Sequence, residues 1–466
     1  MSEKRQLAII GGGPGGYAAA LRAAQLGIKP TLIENDRIGG TCMNYGCIPT
    51  KFLLSQTKLI QELKKNPGLD GLGDGVRLNW RRVQEEKRAV VERLVRGVEF
   101  LLQRNGVEVL RGRASVNGQK QVHFQGAGGE RIFEAATIIL ATGSKPVDFP
   151  FLRPDGKSII TSQQALDLED VPPAMIVVGA GAIGLELGSI FSRLGTEVTV
   201  LEIMPTILPG SDKQIVTRLE RLLKKQGLKI RTEVRLEEGT LEKGKVLLKG
   251  TCLKTRAALE FRAEKVLLAV GRKPNSEVLG RGFAGLLDEG GFVRVDARLA
   301  TEEPGLLAIG DLIGGKLLAH KAHHDGLIAA ENAAGISARM DYGALPMAVF
   351  TEPELASVGL TEEEAKARGL KFQVGLFSLQ ANGRAVTLDS PEGLVKILAE
   401  TDDRVLGGHI LAPHASELVA EIALAIRKGL TLQDISATIH VHPTISEATM
   451  EAAWKAKGMA IHTLNE

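Results

Sequence analysis

Cys42 and Cys47 stand five positions apart in the run GGTCMNYGCIPTK, and they are two of only three cysteines in a chain of 466 residues. A dithiol and its disulfide differ by two electrons and two protons, so a close thiol pair is a device for moving electrons. The spacing has physical content. On an ideal α-helix, residues i and i+5 lie roughly 8–9 Å apart, whereas a disulfide wants its Cα atoms within about 7 Å. A bridge here requires a distorted or loop-like backbone, which Gly46 makes easier. Strained bridges tend to be the reducible ones. A structural staple is the competing explanation, but a lone pair in so long a chain does not look like a stapled scaffold. A zinc site would need about four ligands, and no second cysteine–histidine cluster at ligand spacing appears, so no metal is expected. Cys252 is isolated and reads as a small apolar filler.

The elements that must position this pair announce themselves by glycine. LAII reads as a strand, GGGPGGYAAALRAAQLG as a glycine turn opening a helix, and TLIE as a second strand. Gly11, Gly13 and Gly16 serve the tight turn, the approach of backbone to a pyrophosphate, and helix–strand packing, and Glu34 is placed to take ribose hydroxyls. The pattern returns in AMIVVGAGAIGLELGSIFSRLGTEVTVLE, with Gly179, Gly181, Gly184 and Glu202. Two fingerprints argue for two dinucleotides. A carboxylate at Glu202 would repel the 2′-phosphate of NADP, so NAD is the better match for one of them. TIILATGS, VLLAVGRKPN and GLLAIGD read as short apolar strands, each ending where a loop could meet a ligand. The stretch around NPGLDGLGDG reads as a turn-rich connection, and WRRVQEEKRAVVERLVRGVEFLLQRNG as a long helix with one solvated face.

Composition narrows the class. Length suggests three or four domain-sized units, and 44% hydrophobic residues are ample for several cores. A net charge of +3, mixed along the chain, gives no argument for nucleic acid or an anionic membrane surface. Two Trp and three Tyr make a base-stacking surface unlikely too. No apolar stretch reaches spanning length. Lys4 and Arg5 before LAII imitate a secretory signal, but Pro14 and the glycines interrupt it. The chain reads as soluble and cytoplasmic, from a reducing compartment, with no lipoyl domain ahead of the first fingerprint.

Nicotinamide moves hydride and a dithiol exchanges thiolates and protons, so a flavin is needed between them and one nucleotide should be FAD. The residues by themselves reach a flavin disulfide oxidoreductase and leave its substrate open. GGTCMNYGCIPTK, the two fingerprints, TEEPGLLAIGD, GKLLAHKA and HVHPTISE together resemble the dihydrolipoyl dehydrogenases, in order and over nearly the whole chain. These are the lipoamide-oxidising flavoenzymes of 2-oxo acid dehydrogenase and glycine-cleavage systems, within the class-I pyridine nucleotide-disulfide oxidoreductases.

The resemblance implies an α/β fold with two Rossmann-like dinucleotide-binding domains and a C-terminal α+β dimerisation domain. The implied boundaries are an FAD domain over 1–146 and 272–342, an NAD domain over 147–271, and a dimerisation domain over 343–466. It assigns FAD to Gly11, Gly13, Gly16, Glu34, Thr41, Lys51, Gly112, Thr142, Gly143, Ser144, Asp311, Leu317, Leu318, Ala319 and His320. It assigns NAD to Gly179, Gly181, Ile183, Gly184, Glu186, Glu202, Val234 and Gly271. Lys51 and Glu186 match a pair that resembling enzymes place beside the reactive flavin ring.

In HVHPTISEATMEAAW, Pro443 could open a helix, His442 precedes it as a proton shuttle, and Glu447 could hold the other ring nitrogen. His440 is structural by resemblance. His323 and His324 depart from the family's acidic stretch and read as surface or packing variation. The implied reaction begins when a dihydrolipoyl thiol gives its proton to His442 and attacks Cys42. It ends with Cys47 passing electrons to FAD and FAD reducing NAD⁺. The implied partners are lipoyl domains of a multienzyme complex and a second copy of the chain, whose His442 would face each thiol pair. Among rivals, glutathione reductases carry an extra lysine where Thr50 stands and prefer NADP. Mercuric reductases add a C-terminal cysteine pair, absent from AIHTLNE, and soluble transhydrogenases lack the thiol pair.

Overall fold

Gly11 and Gly179 open the same structure twice. In each case the glycine has φ near +106°, and its N–H donates at 2.8 Å to the carbonyl one residue before the acidic end of the next strand, Ile33 or Leu201. The computed structural model describes residues 3–65, 68, 78–117, 121–242 and 244–465. Apart from Gly68, the turn-rich stretch expected at 66–75 lies outside them. The chain groups into two compact units: Met1–Pro150, Thr161–Asp170 and Val270–Asp341 form one, and Phe151–Ile160, Val171–Ala269 and Tyr342–Glu466 form the other.

In the first unit, β1 (Glu3–Ile10), α1 (Pro14–Gln25) and β2 (Pro30–Glu34) make the strand–helix–strand core, followed by α2 (Gly40–Tyr45), α3 (Cys47–Lys65) and α4 (Trp80–Arg104). Three further strands, β3 (Glu108–Asn117), β4 (Gln121–Gly126) and β5 (Gly129–Leu140), complete the sequence of elements up to the first loop. The parallel part of the sheet runs β3, β2, β1, β5 and then Leu306–Ala308. Gly112, at φ +157°, stands where β3 leaves its parallel partner at Arg111 and turns to pair antiparallel with β4. A Cβ there would lie 2.3 Å from the Gln125 carbonyl, so only glycine fits. The apolar run of β1 is buried on both faces, as a central parallel strand demands. The long helix α4 is capped by Asn79 and buries Trp80, Val83, Lys87, Val91 and Val95 along one face, leaving the solvated face that its sequence suggested.

In the second unit, Ala174–Val178, helix Ala182–Arg193 and Glu197–Leu201 repeat that core, with Lys229–Arg231 and Lys265–Leu268 as further parallel neighbours. The same unit holds a five-stranded antiparallel sheet ordered 347–349, 354–359, 405–412, 394–400 and 372–378. Helices Ala415–Lys428 and Glu447–Ala456 pack on it, the second so closely that a Cβ on Gly375 would lie 1.8 Å from the Ala452 carbonyl. One ion cluster lies within this unit. Lys396, 1% exposed, reaches the fully buried Asp212 at 2.8 Å and Glu362 at 2.6 Å. Asp212 also caps helix Lys213–Lys225 by accepting the N–H groups of Gln214 and Ile215. A buried ammonium is tolerable only with such partners. The architecture is α/β, with two nucleotide-type folds and an α+β terminal part. Among the described residues, no helix is long and apolar enough to cross a membrane.

Candidate functional site

The thiol pair lies where one helix stops and another starts. α2 ends at Tyr45, Gly46 takes φ −142° and ψ −109°, and Cys47 is the first residue of α3. A Cβ at Gly46 would be crowded, meeting the Thr41 carbonyl at 3.0 Å and Cys42 Cα at 3.4 Å. The Gly46 carbonyl then accepts the Thr50 N–H at 3.0 Å and the Thr50 hydroxyl at 2.6 Å, starting α3. The break folds the second cysteine back toward the first, as the spacing argument required. The two thiols stand reduced, and their hydrogen bond, then burial, push the Cys42 thiol far up, while Lys51, one turn past Cys47, pulls it down.

Both fingerprints have the geometry a dinucleotide needs. An added Cβ on Gly16 would lie 1.7 Å from the Gly11 carbonyl, and one on Gly184 would lie 2.0 Å from the Gly179 carbonyl. The space over the middle glycines is open. The nearest atom to a Gly13 Cβ is 3.9 Å away, and nothing lies within 4 Å of one on Gly181. Each middle glycine caps a helix with no side chain covering its N–H groups, which is a phosphate cradle. The acids do more than the sequence suggested. Glu34 accepts Gly12 N–H at 2.6 Å and Asp36 N–H at 2.8 Å, and Glu202 accepts Ala180 and Met204 N–H, each at 2.8 Å. Each carboxylate ties the glycine turn to the loop after the next strand. The residues present fit two dinucleotides.

Further first-unit positions converge on one network. Thr142 Oγ1 donates to the Asn275 carbonyl at 2.9 Å, Asn275 Nδ2 donates back to the Thr142 carbonyl at 2.8 Å, and Asn275 N–H donates to the Gly143 carbonyl. Ser144 donates to Asp311 Oδ2 at 2.5 Å. Lys321 and Asp325, both buried, clamp Gly310 on its carbonyl and N–H. Leu317 and Leu318 lead into helix Ala319–Ala333, with His320 in its first turn. Arg272, Asn275, Lys321 and Asp325 were missed by the sequence reading. Two of them follow Gly271 in VLLAVGRKPN, where an arginine just after an apolar strand was a usable signal. In the second unit, Ile183 is exposed, while Glu186 is buried and accepts the Phe350 N–H at 3.0 Å. Buried Val234 donates its N–H to the Glu202 carbonyl. Gly271 has φ +124° and belongs to the first unit.

His442 Nδ1 lies 2.9 Å from Glu447 Oε1, and Glu447 Oε2 accepts the Thr444 N–H at 2.8 Å. Burial disfavours the charged carboxylate, yet Thr444 and His442 hold Glu447 below the usual carboxylate range. Pro443 does not open the helix. Ser446 is the cap and Glu447 the first helical residue, because the Glu447 carboxylate reaches back to Thr444 and His442 and needs that loop between them. His440 is 5% exposed and lies between Glu421 and the Thr438 carbonyl. The Glu421 bond raises its pKa, in keeping with a structural role. The rings of His323 and His324 meet edge-on with centroids 6.2 Å apart, His323 half-buried against Tyr17 and His324 exposed. Cys252 is not an apolar filler. It is half-buried at the end of strand Lys245–Cys252, where Thr255 and the Lys254 N–H of the following turn bond its sulfur and lower its pKa.

Two nucleotide folds, a helix-break thiol pair and a terminal antiparallel sheet define a class. The chain belongs to the pyridine nucleotide-disulphide oxidoreductase family, whose model matches residues 5–326, and the family's dimerisation domain matches residues 345–453. It is 44% identical to a dihydrolipoyl dehydrogenase of Thermus scotoductus, across 98% of this chain and 99% of that one. It is 42% identical to dihydrolipoyl dehydrogenase 2 of Haloarcula marismortui, across 98% of each. Among solved structures, LpdA of Mycobacterium tuberculosis superposes with a TM-score of 0.89 at 30% identity, covering 96% of this chain and 99% of that one.

Proposed function

We propose that the protein oxidises dihydrolipoyl groups to lipoyl groups and passes the two electrons to NAD⁺. The Cys42–Cys47 pair flanking the helix break at Gly46 carries this reading, and the near-full-length likeness to dihydrolipoyl dehydrogenases supplies the substrate class. In the oxidised enzyme, the imidazole of His442 accepts a proton from one dihydrolipoyl thiol, with Glu447 stabilising the imidazolium. The resulting thiolate attacks Cys42 Sγ, breaks the bond to Cys47 and releases Cys47 as a thiolate. The second lipoyl sulfur then attacks the first, closing the lipoyl disulfide and releasing Cys42, which recovers a proton. Lys51 stabilises the negative charge left on the pair. A bound flavin would supply the two-electron carrier needed between the dithiol and NAD⁺. Gly11, Gly13, Gly16, Glu34, Ser144 and Asp311 would hold the flavin nucleotide, and Gly179, Gly181, Gly184 and Glu202 the nicotinamide nucleotide.

The same reading includes a homodimer in which each thiol pair meets the His442 of a second copy, lipoyl domains of a multienzyme complex as partners, and a cytoplasmic location. The dimerisation-domain match supports the first of these. The discriminating experiment measures turnover with dihydrolipoamide, glutathione disulfide and mercuric ion, each with the NAD and NADP forms. Dihydrolipoamide with NAD⁺ should dominate. Equal efficiency with NADP⁺ would overturn the role given to Glu202, and faster turnover of glutathione disulfide would overturn the substrate.

A further inference from the structure

Asn44 lies inside α2, between Cys42 and Cys47 in the chain. Asparagine is a poor residue for the middle of a helix, because its amide competes for backbone hydrogen bonds. Here that competition fastens a loop. The side chain is 8% exposed, and Nδ2 donates to two carbonyls, those of Ile38 and Gly40, each at 3.0 Å. Oδ1 is buried with no partner among the described residues. Burying an amide oxygen in this way is unfavourable, so the two donated bonds are what hold the side chain in place.

The accepting carbonyls bracket a pair of glycines. Gly39 has φ +94° and Gly40 φ +55°, and glycine loses more conformational freedom on ordering than any other residue. This pair rests on the nucleotide turn. Gly39 N–H donates to the Gly12 carbonyl at 2.8 Å. The Gly40 backbone packs so close to Gly13 that an added Cβ would lie 2.7 Å from Gly13 Cα. Glu34 in turn holds the Gly12 N–H at 2.6 Å. A continuous line of contacts therefore runs from the helix of the first thiol, through Asn44 and the double glycine, to the turn of the first fingerprint.

We propose that Asn44 is a positioning residue of the redox site, whose two donated bonds fasten the double glycine to α2, so that the thiol helix and the nucleotide turn are held as one piece. The proposal rests on the reading in which the first fingerprint holds FAD. It requires an amide donor at this position, whereas a packing role would require only the shape.

The test compares the FAD-loaded wild type with Asn44→Asp, which keeps the shape but at neutral pH turns acceptor oxygens toward the two carbonyls. Two rates are measured between pH 5 and pH 8, each relative to wild type at the same pH. One is FAD release on dilution, followed by flavin fluorescence. The other is iodoacetamide alkylation of Cys42 and Cys47 after reduction, followed by mass spectrometry. At pH 8 both rates should exceed wild type by about tenfold or more, the usual consequence of losing buried hydrogen bonds. Toward pH 5 FAD release should fall back, because a buried carboxyl facing carbonyls titrates above its ordinary value of about 3.9 and its proton restores one donor. FAD release at the wild-type rate across the range would overturn the proposal. So would faster release with unchanged alkylation, since the two parts would then not be held together, and a defect independent of pH would assign Asn44 to packing. Circular dichroism checks folding. Should the Asp variant not fold, Asn44→Ser takes its place with one donor instead of two, and wild-type rates in that variant refute the proposal. Gly16→Ala is measured alongside. Flavin retained unchanged by Gly16→Ala would count against FAD at the first fingerprint, whereas wild-type rates in the Asn44 variants count against the fastening alone.

Discussion

Glu447 holds His442 by one carboxylate oxygen at 2.9 Å and the backbone of Thr444 by the other at 2.8 Å, so one side chain fixes both the ring and the loop that carries it. With 78% of the His442 side chain exposed, the opposite ring edge is left uncovered.

His442→Gln should reduce dihydrolipoamide oxidation about 10²-fold or more, the usual contribution of a positioned acid–base group. Glu447→Gln keeps the loop contact to Thr444 but removes the charge, and a smaller loss of about tenfold is expected. The folded-state pKa of Glu447 is lowered, so its contribution to stability is present above the unfolded value of about 4.3 and is lost as pH falls through the folded value. Denaturant titrations of wild type and Glu447→Gln should therefore differ at pH 6–7 and converge below about pH 4. A gap that widens on acidification would contradict the assignment.

Gly16→Ala and Gly184→Ala should separate the two nucleotides. Each new methyl meets a backbone carbonyl, at 1.7 Å and 2.0 Å respectively, and neither helix can retreat without losing its turn. Gly16→Ala should purify with little flavin absorbance. Gly184→Ala should stay yellow and lose NAD⁺ affinity by at least about tenfold, a modest cost for so close a contact. Flavin loss from the Gly184 variant alone would reverse the assignment.

The proposed roles of the two thiols, with Cys47 the one that passes electrons to the flavin, predict different spectra for the two serine variants. In Cys42→Ser, Cys47 remains as a thiolate, and the FAD-loaded protein should show a long-wavelength charge-transfer absorbance that titrates with the thiol. Cys47→Ser should lack it. Both should lose dihydrolipoamide oxidation, since neither can cycle a disulfide. Equal bands in both would show that the roles are exchanged.

Lys396→Met should destabilise the second unit by about 3–5 kcal/mol, because it strands the fully buried Asp212 carboxylate. The double variant with Asp212→Asn should recover part of that loss, since it removes the stranded charge. Thermal or denaturant unfolding measures both, and a Lys396→Met protein as stable as wild type would mean that the charge is relieved by another route.

The amino-acid sequence alone determined whatever depends on local geometry. Glycines at a fixed spacing between apolar strands permit one turn, because positive φ at Gly11 and a vanishing side chain at Gly16 are properties of single residues. The five-residue cysteine spacing demanded a break in the helix, and Gly46 supplies it. Glu447 five positions after His442 was close enough along the chain for their contact to be foreseen, although the helix starts at Glu447 and not, as expected, at Pro443. Tertiary structure decided what depends on residues far apart in the chain. Ser144, Arg272 and Asp311 share one hydrogen-bonded network across 167 positions, and Asp212 meets Lys396 across 184. No periodicity or spacing encodes such meetings, because they follow from which strands pair in a sheet and which buried charges must then find partners. The second duty of Glu34 and Glu202, tying each glycine turn to the loop after the next strand, belongs to the same category. Their type and position were legible, but the backbone N–H groups they satisfy were brought within reach only by the fold.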